Sequence, residues 1–153
     1  MPADPLDVCL RLVRVQAAVA RRFDSELGPV HGISLGDLAI LINLHGARGG
    51  RMRRVDLAVR MLLSQSGVTR ALAPLERMGL VAREADPRDA RVGYATLTAA
   101  GRAKLRETRT TAERISRETF SLGWQSGEVD DLNHLLSRLG ATGLPSPVAE
   151  QSG

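Results

Sequence analysis

Among 153 residues the chain has a single cysteine, Cys9, and only two Phe, one Tyr and one Trp. A lone thiol closes no internal disulfide, and no Cys or His stands near it at metal-ligand spacing, so neither a disulfide framework nor a metal site is expected. With so few aromatics, the core must be built from aliphatic side chains. No stretch approaches the roughly 18 uninterrupted apolar residues of a membrane span. The N-terminal MPADPLDVCL lacks the basic region and apolar run of an export signal. The expectation is a cytoplasmic protein with no membrane partner. Catalytic motifs are missing too: there is no HExxH, no GxSxG and no phosphate loop ending in Gly-Lys-Ser/Thr. The glycines of GARGGRM come without that lysine or a preceding strand, and the segment is read as an interhelical loop. No enzymatic activity and no cofactor are expected.

Lysine is nearly missing as well, since 20 of the 21 basic residues are Arg, whose planar fork suits phosphates and base edges. A codon bias would produce the same excess, but it would not cluster the charge. Residues 48–109 hold 14 Arg and Lys against 6 Asp and Glu, a segment charge of +8. The rest of the chain holds 7 against 11, or −4. So basic a central segment points to a polyanionic partner.

What remains is mostly helical periodicity. Asp4-Pro5 reads as an N-cap followed by proline at the first helical position. Leu6, Leu10, Val13, Ala17, Ala20 and Leu27 then share a face, up to an expected end near Gly28-Pro29. Ser34, with Asp37 three residues on, opens a second helix to about Gly46. That helix is apolar nearly all round and should be central. RVDLAVRM is a short helix, and Ser64 caps another running to about residue 78 and ended by Gly79. So tight a junction between two short helices suggests a helix-turn-helix. LVAREAD and VGYATLT read as strands around the charged turn PRDAR, which makes a winged helix. Thr98 caps a long helix expected to reach Gly123, with Leu105, Ala112, Ile115, Thr119 and Leu122 on one side. Ser126 opens a last one carrying Val129, Leu132, Leu135, Leu136 and Leu139 and closed by Gly140. The tail from residue 141 has no periodicity and is expected to be disordered.

Two places carry chemistry. On the helix capped by Ser64, the residues Gln65, Ser66, Thr69 and Arg70 form a polar strip that can meet base edges when a helix enters the major groove N-terminus first. A solvated helix face has the same composition. In the turn, Asp86, Arg88, Asp89 and Arg91 alternate acid and base. A wing of this kind can lay Arg into the minor groove, where the potential is most negative, and a solvated turn with weak local ion pairs is the alternative. The combination of strip, wing and basic segment favours DNA.

These residues carry a family resemblance. VDLAVRMLLSQSGVTRALAPLERMGLVAREADPRDARVGYATLTAAG resembles the winged-helix core of MarR-family transcriptional regulators. Val-Thr-Arg, Leu-Glu-x-x-Gly-Leu-Val-x-Arg, Asp-x-Arg-Asp-x-Arg and Leu-Thr-x-x-Gly follow in the family's order over about residues 55–101. The resemblance implies a mainly α fold with a small β-hairpin wing, in which a winged helix-turn-helix is flanked by dimerisation helices. It divides residues 1–140 into a DNA-binding core over about 34–97 and dimerisation helices over 4–28 and 98–140, with 141–153 as the tail. It further implies a homodimer on double-stranded promoter DNA, with Ser64, Gln65, Ser66, Thr69 and Arg70 facing the major groove. Arg88 would be the minor-groove arginine oriented by Asp86, Arg91 would brace the wing, and Arg53, Arg54 and Arg77 would meet phosphates. Negative control, relieved by a small aromatic or anionic ligand, goes with this picture. Gly67 and Pro74 depart from the pattern, and Pro74 is expected to kink or loosen its helix.

Cys9 has two readings. Some similar regulators sense organic peroxides through a cysteine on the first helix. Here Phe23 stands where an accompanying tyrosine would be sought, and residues 33–37 offer no other. As the alternative, Cys9 is a small apolar residue in a dimer interface. His31, His45 and His134 are scattered and are read as surface or core residues. A winged helix that binds protein instead of DNA is the competing function, because fold does not fix function.

Overall fold

The computed structural model describes residues 2–141. In chain order it has α1 (Pro5–His31), α2 (Leu35–Gly46), β1 (Arg51–Arg53), α3 (Arg54–Met61), α4 (Gln65–Arg77), β2 (Val81–Ala85), β3 (Gly93–Leu97), α5 (Ala99–Thr119) and α6 (Glu128–Ala141). The sheet is antiparallel with order β1-β3-β2. This is a mainly α winged helix-turn-helix, the fold class read from the sequence.

Four of the five helix-start residues read from the sequence, all but Ser126, cap helices. Asp4 accepts from the Leu6 amide at 3.1 Å, Ser64 from Gly67 at 3.0 Å and Thr98 from Gly101 at 3.0 Å. Ser34 and Asp37 close a reciprocal capping box, which satisfies amides that the first turn leaves without partners.

Boundaries move where packing outweighs local signals. α1 continues through Pro29 to His31, beyond the expected stop. Proline there forfeits only its own amide bond in the last turn, while Leu27 and His31 are buried and Gly32, at φ 71°, closes the helix by donating to the Gly28 carbonyl at 2.9 Å. α4 likewise runs unbroken through Pro74, because Leu72 and Leu75 on either side of it are fully buried and hold the turn. α5 stops at Thr119 instead of reaching Gly123. Phe120 leaves the helix to meet Trp124 edge-on, ring centroids 5.1 Å apart, and Leu122 is 87% exposed and off the apolar side assigned to it. α6 begins at Glu128, two residues after Ser126, and passes through Gly140 to Ala141. The rest of the expected tail, 142–153, lies outside the described residues.

The segment GARGGRM, read as a loop, runs into β1 at Arg51 and Met52. One inward residue, Met52, leaves almost no alternation to detect. The strand forms because β3 offers a free edge, pairing Arg51 with Thr96, Met52 with Ala95 and Arg53 with Tyr94. Arg51 then lies over the Tyr94 ring at 4.4 Å and pairs with Glu84 at 3.6 Å.

The core is aliphatic, as the scarcity of aromatics requires. Leu38, Ile40, Leu41 and Leu44 put α2 at its centre, packed by Leu27, Leu57, Leu72, Leu75, Leu97, Leu105 and Ile115 from the elements around it. Ile42 is the exception on this nearly all-apolar helix, half exposed beside a cavity. Among the described residues no single helix is long and apolar enough to cross a membrane.

Candidate nucleic-acid interface

Val68, Leu72 and Leu75 anchor α4 on the core and turn its opposite face to solvent. Gln65, Ser66, Thr69 and Arg70 are all exposed there, as is the cap Ser64. Gly67 lets the cap sit close, since a Cβ at that position would lie 3.1 Å from the Ser64 hydroxyl. The hydroxyls are partly engaged. Ser64 and Ser66 share a hydrogen bond at 3.1 Å, and Thr69 donates to the Gln65 carbonyl at 3.1 Å while accepting from Arg54 at 3.3 Å. The side chains of Gln65 and Arg70 have no hydrogen-bond partner among the described residues, which leaves an amide and a guanidinium at the front of the helix.

The wing is built by its acids. Asp86 accepts from the backbone amides of Arg88 at 2.7 Å and Asp89 at 3.3 Å, and from the Tyr94 hydroxyl at 3.4 Å. Asp86 therefore shapes the turn that carries Arg88 and does not grip its guanidinium. Arg88 is exposed at the tip. Arg91 is held by Asp89, which accepts from its amide at 3.0 Å and from its guanidinium at 3.1 and 3.3 Å. The Arg91 hydrogen bond keeps the Asp89 carboxyl below its ordinary value of 3.8.

The three arginines expected at phosphates occupy different settings. Arg54 is a cross-brace: its side chain is 13% exposed and donates to Glu76 on α4 at 3.0 Å and to Thr69, two turns earlier on the same side of that helix. Arg53, at the end of β1, and Arg77, on the last turn of α4, are exposed, and their side chains have no hydrogen bond or ion pair among the described residues. Cys9 lies exposed on α1. Phe23 is buried and lines a cavity between α1, α2 and α5. His31 is buried at the end of α1, its Nε2 at 2.8 Å from the Thr111 hydroxyl and its Nδ1 at 3.3 Å from Glu107.

Sequence reasoning met Arg83 only as the end of a family motif and gave it no role. It lines a space of about 290 Å³ between the first turns of α4 and the wing, together with Arg53, Arg54 and Arg91 and with no acidic side chain. The signal was present in VAREA, where a period of two puts Arg83 on the same side as the buried Val81. Placing that side against α4, however, needed the fold.

A polar, cap-started helix beside an arginine-bearing wing defines a DNA-binding transcription regulator of the winged helix-turn-helix class. The family model that matches, over residues 31–92, is that of the MarR family. YkoM, an HTH-type transcriptional regulator of Bacillus subtilis strain 168, is 36% identical over 111 residues, spanning 72% of this chain and 70% of its own. Two solved structures share the fold. Sco3205 from Streptomyces coelicolor, a MarR family transcriptional regulator in complex with DNA, has a TM-score of 0.83 at 23% identity, covering 95% of this chain and 91% of that one. BpsR from Bordetella bronchiseptica, whose DNA binding is regulated by 6-hydroxynicotinic acid, has a TM-score of 0.77 at 25% identity, covering 91% and 97%. The chain belongs to the MarR family of transcriptional regulators.

Proposed function

We propose that two copies of this chain form a repressor that binds a pseudo-palindromic operator and leaves it when a small molecule binds. The observation that carries the dimer is the pair of helix faces left uncovered in one chain. Leu6, Leu10 and Val13 on α1 are 52–66% exposed, and α6 buries no residue although Leu135, Leu136 and Val129 project from it. Apolar faces of this extent on two terminal helices call for a partner. A second copy offers the same faces in a two-fold arrangement. Each chain carries one α4 and one wing, so a dimer presents two reading heads to half-sites about one helical turn apart. Gln65, Ser66, Thr69 and Arg70 would then face bases, and Arg88 the minor groove, with Ser64 setting the helix start.

Release has a candidate seat in the cavity of about 320 Å³ between α1, α2 and α5, whose floor of Phe23, Leu38 and Leu105 is apolar and whose rim carries His45 and Arg109. Glu113 shares the rim and pairs with Arg109 at 3.0 Å, so an aromatic ligand matches that lining better than an anion does. Because α1 and α5 belong to the dimerising part and α2 to the core that carries α4, a ligand there would bias the spacing of the two α4 helices. Regulation of BpsR by 6-hydroxynicotinic acid is a precedent in a protein of the same fold.

The test is the affinity of the purified protein for the DNA upstream of its own gene, against unrelated DNA of equal length, at several salt concentrations. Tight, selective binding that persists at high salt with two chains per site is the expected result. Weak binding, equal for both DNAs and lost with salt, is counterion release alone and would move a protein-binding role ahead.

A further inference from the structure

Arg83 ends the Leu-Glu-x-x-Gly-Leu-Val-x-Arg motif, and the space it lines bears on how the molecule would sit on a duplex. In the strand register Arg83 faces Ala95, which is fully buried, and follows Val81 on the core-facing side of the sheet. Arg83 itself is exposed, because the ribbon at this point faces the first turns of α4 across the open space and not across packed side chains. A cation on the inward face of a ribbon is unusual unless an anion meets it. Among the described residues no acid does so. Arg54 is neutralised by Glu76 and Arg91 by Asp89, whereas the side chains of Arg83 and Arg53 have neither a hydrogen bond nor an ion pair among the described residues. Arg83, from the inward face of the ribbon, and Arg53, from the end of β1, thus line a space that Gln65 and Thr69 also line.

We propose that this space is a seat for a backbone phosphate of the bound DNA, with Arg83 as its principal cation and Arg53 as the second. The inference rests on the DNA-binding reading above and deepens it. When α4 occupies a major groove and the wing the neighbouring minor groove, the sugar–phosphate strand dividing those grooves has to cross the gap between them. That gap is the arginine-lined space. Arg83 then fixes the depth and register of α4 and carries no sequence information, since phosphate contacts position while base contacts specify. Arg54 and Arg91, already paired, shape the seat.

The test is a salt titration of wild type, Arg83→Gln and, as a remote loss of one positive charge, Arg21→Gln, each on a random-sequence duplex and on the DNA upstream of the gene. Circular dichroism checks that the folds match. Arg83→Gln is expected to weaken binding to both DNAs about tenfold, leave the preference between them unchanged, and reduce the slope of log K against log salt by about 0.9, the share of one phosphate. Arg21→Gln should keep the wild-type slope. An Arg83→Gln protein with wild-type slope and affinity overturns the seat while leaving DNA binding intact, and so does one that loses preference without loss of slope. Saturable binding of inorganic pyrophosphate that disappears in Arg83→Gln, with the DNA slope unmoved, would assign the space to a free anion and overturn the proposal. Wild-type protein that binds neither duplex overturns both readings.

Discussion

At the scale of single residues, the sites that matter most for the fold and for the interface are of opposite kinds. Gly101 shows the first. A Cβ there would lie 2.1 Å from the Leu80 carbonyl oxygen and 2.6 Å from Leu97 Cδ1, while Thr98 both caps α5 and donates to the Gly79 carbonyl at 2.6 Å. The Leu-Thr-x-x-Gly motif is thus a packing device that docks α5 on the start of β2. Gly101→Ala should destabilise the protein by about 3 kcal/mol, read as a lowered urea midpoint; an unchanged midpoint would mean that the backbone yields easily. Arg88 shows the second kind. It is exposed, and the wing turn is held by Asp86 through backbone amides, so Arg88→Ala should leave the fold intact. Its DNA affinity should fall by about 1–3 kcal/mol. Equal affinity of variant and parent in a gel-shift titration would remove Arg88 from the interface.

At the scale of elements, the wing and the α1–α5 pair are each held by ionic contacts at the surface. In the wing the depressed Asp89 carboxyl means that its clamp on Arg91 is intact above pH 3.8 and lost as the pH falls through the lower value it has in the fold. The carboxyl carbon resonance of Asp89 should titrate with a midpoint below 3.8, and Asp89 should contribute no pH dependence near neutrality. A midpoint at or above 3.8 would show that the clamp is not populated in solution. Between α1 and α5, Arg22, Glu26, Arg114 and Glu118 form a closed ring of four ion pairs. Glu26 chiefly raises Arg114, and Arg114 chiefly lowers Glu118. Being exposed, the ring orients the helices more than it stabilises them.

At the scale of the whole molecule, the proposed dimer rests on the uncovered faces of α1 and α6. Leu10→Glu combined with Leu136→Glu puts a charge on each face, at positions 52% and 46% exposed in the single chain. The double variant should sediment as a monomer with native helix content. Its affinity for the upstream DNA should drop by two orders of magnitude or more, on the order of 3 kcal/mol, as one of two heads is lost. A dimer that survives both charges would place the interface elsewhere.

Much of this molecule is determined by short-range chemistry. Asp4, Ser34, Ser64 and Thr98 set helix starts because a side-chain oxygen reaches an amide two or three residues away, and the charged turn of residues 86–91 closes on its own acids. These interactions lie within a few residues, so the winged-helix order and the polar front of α4 were legible from the sequence. What required distant groups was not. β1 exists because β3, some forty residues on, offers it an edge. α1 and α4 run through Pro29 and Pro74 because buried leucines from the same helices pack against other elements. Arg54, expected at a phosphate, is drawn to Glu76 by the packing of α3 on α4. Arg83 meets the first turns of α4 only because three strands and two helices converge there. Local bonding determined where the elements begin, and tertiary packing decided where they end and which arginines remain free.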